Sequence, residues 1–314
     1  MRLGVLDIGS NTVHLLLVDA HPGARPLPFA SHKRDLQLVA FLDRRGAISD
    51  VGQRELIDFI REATDFARQN SAEDVLAFAT SAIREATNGQ AVLTRVAAET
   101  GIDLIELTGE QEAAATFLAV RRWYGWGAGT ILGLDIGGGS FELAMGADEQ
   151  PSLSVSLPLG AGRVTRDLLA ADPPTAKSVR MAREYIRSTL EKPISEFSEL
   201  GTPTIVAGSS KSFRSLARIS GAAQQAAGLY VPRELKLRDV SLWANRLAAM
   251  SAADRSELPG VSVTRAKQLL AAALVAEETM HGLGIAAVQI CPWALREGIL
   301  LRRFDQLTAG APAR

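Results

Sequence analysis

Two apolar runs, Leu3–Leu6 and Val13–Val18, flank the polar stretch Asp7–Thr12 and predict a pair of strands joined by a tight turn. Leu56, Ile60, Ala63 and Ala67 then recur at helical spacing behind Ser49 and Asp50, both residue types that cap helices. Val75–Ala79 reads as a buried strand, Gln90–Glu99 as a helix closed by Gly101, and Ile102–Leu107 as another strand. Thr108 and Gln111 have the spacing of a capping box, which opens a helix from about Gly109 to Arg122. The glycine-rich segment Trp123–Gly129 breaks the pattern, and the programme restarts with strands Thr130–Leu134, Phe141–Met145 and a third near Leu153–Leu157. Helices are predicted around Ala176–Leu190, Leu237–Met250 and Arg265–Met280, strands at Thr204–Ala207 and Ala286–Ile290, and a closing helix at about Ala294–Arg303. Residues 308–314 read as a loose tail. The alternation predicts an α/β chain of two domains, 1–125 and 126–314, with the closing helix (about 294–304) packing back on the first.

A faint duplication supports the two-domain reading. LDIGSNTVHL from Leu6 aligns without gaps to LDIGGGSFEL from Leu134, a shift of 128 residues. The same shift lays FATSAIR from Phe78 onto VAGSSKS from Val206, so a repeated α/β unit is expected.

The repeated turns carry the candidate chemistry. Consecutive small residues leave backbone N–H groups uncovered, and such donors converge on anions. Gly137, Gly138, Gly139 and Ser140 form one such loop, and Gly9, Ser10, Asn11 and Thr12 a less glycine-rich version. Each begins with an acid, Asp7 or Asp135, which is oddly placed beside phosphate unless a cation lies between them. Magnesium, which keeps waters and bridges carboxylate to phosphate, fits that arrangement. Thr80–Arg84 (TSAIR) follows a strand and opens a helix, so Ser81 is placed to meet an anion and Arg84 to grip phosphate oxygens, with Ser209, Ser210 and Lys211 as the matching loop. Glu112 lies in the first turn of its helix, where the macrodipole favours an ionised carboxylate able to accept a proton from water, but Glu110 has the same claim on this reasoning. GAGR at Gly160–Arg163 lacks the third glycine of a dinucleotide fingerprint and is set aside.

Composition narrows the partners. The 34 Lys and Arg against 35 Asp and Glu leave a net charge of −1, which excludes polyanion binding by bulk charge and makes nucleic acid an unexpected partner. The single cysteine, Cys291, excludes a disulfide framework, and His14, His21, His32 and His281 include no pair at metal-ligand spacing. No stretch reaches the ~20 apolar residues of a membrane span, and Asp7 and Asn11 interrupt the apolar start, so no membrane partner and a cytoplasmic location are expected.

Six segments in order, LDIGSNTVHLLL, FATSAIREA, LTGEQEAAATFLAV, LDIGGGSFELA, LPLGAGRVTR and PWALREGILL, resemble the exopolyphosphatase/guanosine pentaphosphate phosphohydrolase family of the sugar kinase–Hsp70–actin superfamily. The resemblance implies a duplicated ribonuclease-H-like (actin-like ATPase) fold with its active site in an interdomain cleft. It implies hydrolysis of the terminal phosphoanhydride of inorganic polyphosphate with Mg2+ or Mn2+, and Glu112 as the catalytic glutamate in place of Glu110. Asp135 and Glu142 match the metal and water network, with Asp7 as its counterpart in the first unit, and Arg84 matches a phosphate ligand.

The chain also departs from the family pattern. Gln111 replaces the first acid of G-x-E-E-A, and Ala114 and Gln37 (the latter in strand-like DLQL) stand where arginines are common, which weakens the grip on long polyanions. The chain resembles the short, two-domain members of the family, so short to medium polyphosphates are the expected substrates. Removal of the 5′ phosphate of guanosine pentaphosphate is the alternative in the same reaction class. An ATP-dependent small-molecule kinase would need a glycine-rich adenosine loop where this chain reads AGSSKSF. A non-catalytic polyphosphate- or nucleotide-binding regulator is the alternative outside enzymes. Relatives often form homodimers, and the apolar stretch Leu269–Val275 suits either a dimer seam or a core helix.

Overall fold

A computed structural model describes residues 1–21 and 24–309, and the part of the expected tail beyond residue 309 lies outside the described residues. The chain divides into two compact units, Met1–Glu112 with the helix that begins at Leu295, and Ala113–Ala294.

In the first unit, β1 (Arg2–Ile8), β2 (Val13–Asp19) and β3 (Pro28–Arg34) form an antiparallel meander. Helix α1 (Asp50–Gln69), capped by the Ser49 side chain, leads to β4 (Asp74–Ala79), which returns parallel to β1. Short α2 (Ser81–Arg84), α3 (Gly89–Thr100) and β5 (Ile105–Glu106) complete a five-stranded sheet of order β3-β2-β1-β4-β5. Leu6, Ile8, Leu15 and Leu17 of the sheet pack against Leu56, Phe59, Ile60 and Ala63, one stripe of α1. Helix α4 (Gly109–Tyr124) opens with the expected box: the Gln111 amide nitrogen donates to Thr108 Oγ1 (3.1 Å), and the Thr108 amide to Gln111 Oε1 (2.9 Å).

The second unit repeats the scheme. Strands β6 (Ile131–Ile136), β7 (Phe141–Gly146) and β8 (Leu153–Leu157) form the meander, followed by α5 (Ala161–Leu168) and α6 (Ala176–Glu199). Then come β9 (Ile205–Gly208), α7 (Lys211–Ile219), β10 (Glu234–Lys236), α8 (Leu237–Ala248), α9 (Ala252–Ser256), α10 (Val263–Ala266), α11 (Leu269–Gly282) and β11 (Ala287–Ile290). The sheet order is β10-β11-β9-β6-β7-β8; without β10 it matches the first sheet strand for strand. Helix α12 (Leu295–Ala309) belongs to the first unit, where Arg303 bonds Asp74 at 2.8 Å.

Several sequence expectations are corrected. The gapless shift of 128 residues describes the hairpins, but β9 is set differently: Leu132 pairs with Val206, whereas Gly4, its equivalent, pairs with Val75. The offset there is 131 residues, because the crossover into β9 is longer, so FATSAIR and VAGSSKS are not position-for-position equivalents. DLQL is not strand: Gln37 has φ +50° and starts a 3-10 turn over Leu38–Phe41. Helix α6 runs on through Pro193 to Glu199, past the expected end at Leu190. Every residue from Leu269 to Met280 is buried within the second unit, so the stretch Leu269–Val275 is a core helix rather than a seam. No helix of the described residues is long and apolar enough to cross a membrane.

Candidate active site

Within the first unit the structure gathers the residues singled out from sequence. The β1–β2 turn closes with the Gly9 amide donating to Thr12 O (3.1 Å), and the Asn11 carbonyl is held by the Gln37 amide (3.0 Å). Gln37 thus braces this loop through its backbone. Ser10 and Ser81, both buried, share a hydrogen bond of 2.9 Å, which brings the turn to the start of α2. At the other end of α2, Arg84 Nη1 donates to Leu107 O (2.6 Å) and forms an ion pair with Glu112. The structure also separates the two acids of α4: Glu112 is buried on the Arg84 side and Glu110 is exposed. In β2, His14 is the register partner of Asp7 and is joined to Arg296 of α12.

The second unit supplies the other candidates. The β6–β7 turn repeats the first, with the Gly137 amide donating to Ser140 O at 2.9 Å. Asp135 and Glu142 are register partners on adjacent strands, so their side chains share one face. Ser209 Oγ donates to Asp135 Oδ2 (2.8 Å) and Ser156 Oγ to Glu142 Oε1 (2.8 Å). Ser210 caps α7 and Lys211, exposed, begins it. The loop therefore sits at the carboxyl ends of parallel strands β6 and β9, the edge where α/β sheets bind ligands.

No three His, Cys, Asp or Glu side chains among the described residues form a ready-made metal cage. The donors present are carboxylates and hydroxyls, which suit a hard cation that keeps its waters and completes its shell with phosphate.

Three features escaped sequence reasoning. GAGR, set aside as a failed fingerprint, forms the first turn of α5 and lies against the Gly137–Ser140 loop: the Ala161 amide donates to Gly137 O at 2.9 Å. Arg214 Nη1 reaches Ser209 O at 3.2 Å. Beyond β11, Trp293 meets Trp123 edge to face (5.3 Å) and Tyr230 stacks on Trp123 (5.4 Å), with Tyr230 61% exposed. Among the described residues, the buried Trp293 indole nitrogen has no hydrogen-bond partner. The Cys291 amide ties this end of β11 to Gly208 O at 2.9 Å, beside Ser209. Burial, and secondarily the Cys291 thiol, push the neighbouring Tyr124 phenol above its ordinary value, so it stays protonated.

The model of the Ppx/GppA phosphatase family matches residues 17–307. Exopolyphosphatase 1 of Mycobacterium tuberculosis is 51% identical over 310 residues, covering 99% of this chain and 90% of that one. The crystal structure of an exopolyphosphatase from Cytophaga hutchinsonii superposes with a TM-score of 0.87 at 25% identity, covering 99% of this chain and 100% of that one. The guanosine-5′-triphosphate,3′-diphosphate pyrophosphatase of Aeromonas hydrophila is 25% identical over 94% of this chain and 58% of its own length.

Proposed function

The chain belongs to the Ppx/GppA phosphatase family, and from that premise we propose that it is an exopolyphosphatase, releasing orthophosphate from the end of inorganic polyphosphate. The observation that carries the assignment of roles is the buried Glu112 paired with Arg84, one short helix away from Ser10 and Ser81. Glu112 orients a water and takes its proton as the water attacks the terminal phosphorus in line. Arg84, the amides of Ser10, Asn11 and Thr12, and the hydroxyls of Ser10, Thr12 and Ser81 neutralise the terminal phosphoryl oxygens, in the turn that Gly9 closes through its bond to Thr12 O. In the second unit the residues suited to phosphate are Gly138, Gly139 and Ser140, in the turn that Gly137 closes, with Ser209, Ser210 and Lys211. Asp135 and Glu142 of that unit, register partners on adjacent strands, are the residues that would hold Mg2+ or Mn2+, and Asp7 is the candidate ligand of the first unit. Such an ion, when bound, screens phosphate charge and stabilises the leaving phosphate.

Two neutral residues set the expected chain length. Gln37 braces the first turn through its backbone and carries no charge, and Ala114 carries none, so long polyanions find few extra cations. Phosphate release should be faster on short chains than on long ones, should stop in EDTA and should return with Mg2+. Asp135→Asn should raise the Mg2+ concentration needed for half activity at least tenfold. Full turnover in EDTA, or an unchanged Mg2+ requirement in that variant, contradicts the metal assignment. Neither nucleic acid nor a membrane is an expected partner, and a homodimer is the assembly expected from the family.

A second reading, hydrolysis of guanosine pentaphosphate, is favoured by one observation. The exposed Tyr230, stacked on Trp123, which Trp293 meets edge-on just beyond β11, offers an aromatic ring to a base, and bases stack on such rings for ~1–3 kcal/mol. If that ring takes the guanine, Tyr230→Ala should raise KM for the pentaphosphate about tenfold and leave polyphosphate hydrolysis unaltered. Equal effects on both substrates, or none on either, would remove the support.

A further inference from the structure

The segment Gly160–Arg163 takes all three carbonyls of the glycine loop. The Ala161 amide donates to Gly137 O (2.9 Å), the Arg163 amide to Gly138 O (3.0 Å), and Arg163 Nε to Gly139 O (2.9 Å). A peptide is planar and trans, so its C=O and the N–H of the following residue point in opposite directions. Tying down the carbonyls of Gly137, Gly138 and Gly139 therefore turns the N–H groups of Gly138, Gly139 and Ser140 away from α5. Among the described residues, the Gly138 and Gly139 N–H groups have no acceptor within the chain.

The fit is close because residue 160 has no side chain. A Cβ there would fall on the Gly139 carbonyl carbon and the Ser140 nitrogen, and 2.6 Å from the Gly138 carbonyl carbon. Two of the three peptides are held by the backbone of α5, which any residue can supply. The third, Gly139–Ser140, is held by a side chain alone.

We infer that Arg163 is a positioning residue for this hydrolase: its Nε–H locks the Gly139–Ser140 peptide with the Ser140 N–H facing phosphate, while its charge is not used on the substrate. The inference rests on the reading of 137–140 as a phosphate loop. It explains why an arginine follows two glycines there without invoking a dinucleotide.

Bond counting supplies the test. Glutamine carries Nε2 as many bonds from Cα as arginine carries Nε, so Arg163→Gln keeps a donor for Gly139 O and loses the charge. Arg163→Lys keeps the charge but has a methylene at that position. Loss of one preorganised donor costs ~100-fold or more, and a peptide free to flip should lose a part of that. The expected result is kcat on tripolyphosphate down at least tenfold in Arg163→Ala and Arg163→Lys, and within about threefold of wild type in Arg163→Gln. Recovery by Lys with failure of Gln would overturn the inference, because it would make Arg163 a charge that binds substrate. Wild-type turnover in Arg163→Ala would overturn it too. The loop reading is tested apart from this, by following the Gly138 and Gly139 amide resonances of the wild-type protein during titration with pyrophosphate. Shifts there are expected; their absence would defeat the loop reading, on which the inference depends, whatever the variants do.

Discussion

Replacing Glu112 by glutamine should lower kcat for phosphate release by about a thousandfold, within the ~100- to 10,000-fold range of general-base catalysis, with the fold retained. The variant is chosen because an amide still offers Arg84 an oxygen acceptor, so the contact between α2 and the first turn of α4 survives while the proton acceptor is lost. Arg84 also keeps its bond to Leu107 O (2.6 Å), which limits any rearrangement. The exposed neighbour is the internal control: Glu110→Gln should leave kcat within about twofold, since Glu110 points to solvent. Phosphate release under saturating substrate, with melting curves of both variants, checks the pair. Equal losses at 110 and 112, or wild-type turnover in Glu112→Gln, would remove the base assigned here.

The second large effect is expected at Gly160. Alanine there drives a methyl into the backbone of Gly138, Gly139 and Ser140, none of which is a flexible side-chain end that could step aside. Either α5 moves away from the loop or the loop distorts, and both break the bonds from Ala161 and Arg163. Overpacking of this kind costs about 3 kcal/mol, which for a unit of this size is a fall in Tm of roughly 6–12 °C. Activity should fall about a hundredfold through loss of aligned donors. Gly162→Ala is the milder comparison: its Cβ would lie 2.9 Å from Gly138 O and 3.1 Å from Gln268 Nε2, and the glutamine can rotate away. A Gly160→Ala protein with wild-type Tm and turnover would refute the moulding of the loop by α5.

Legibility in the sequence followed the physics of each segment. The hairpin β1–β2 and its repeat β6–β7 were readable because Val- and Leu-rich runs flank a polar turn in both, and Asp7 and Asp135 end matching strands. Thr108 and Gln111 announced the start of α4 because a capping box is a local device. Strand β3 was missed: at the sheet edge its sequence PFASHKR is largely exposed and offers little apolar signal. The register of β9 depends on the length of a crossover, which no local pattern encodes, so the ungapped shift of 128 misaligned it by three residues. Gln37 was read as strand from DLQL, but the tertiary bond from its amide to Asn11 O accompanies a left-handed backbone.

Site chemistry divided in the same way. Ser10, Ser81, Arg84 and Glu112 were legible as polar residues at loop ends and helix starts, and the fold of the first unit brings them together. Helix position does not distinguish Glu112 from Glu110; the family resemblance points to Glu112, and only burial separates the two acids in the fold. Arg163 was hidden because its partner is a main-chain carbonyl 24 residues away in sequence. The cue that could have found it was the adjacent pair Gly160 and Gly162, small where two backbones meet.

The most direct measurement is phosphate release by the purified wild-type protein in Mg2+, with tripolyphosphate, long-chain polyphosphate and guanosine pentaphosphate assayed side by side. The account predicts orthophosphate cleaved one unit at a time from polyphosphate ends, with the highest kcat/KM on the short chain. Release from guanosine pentaphosphate alone, or no release from any polyphosphate, would contradict it.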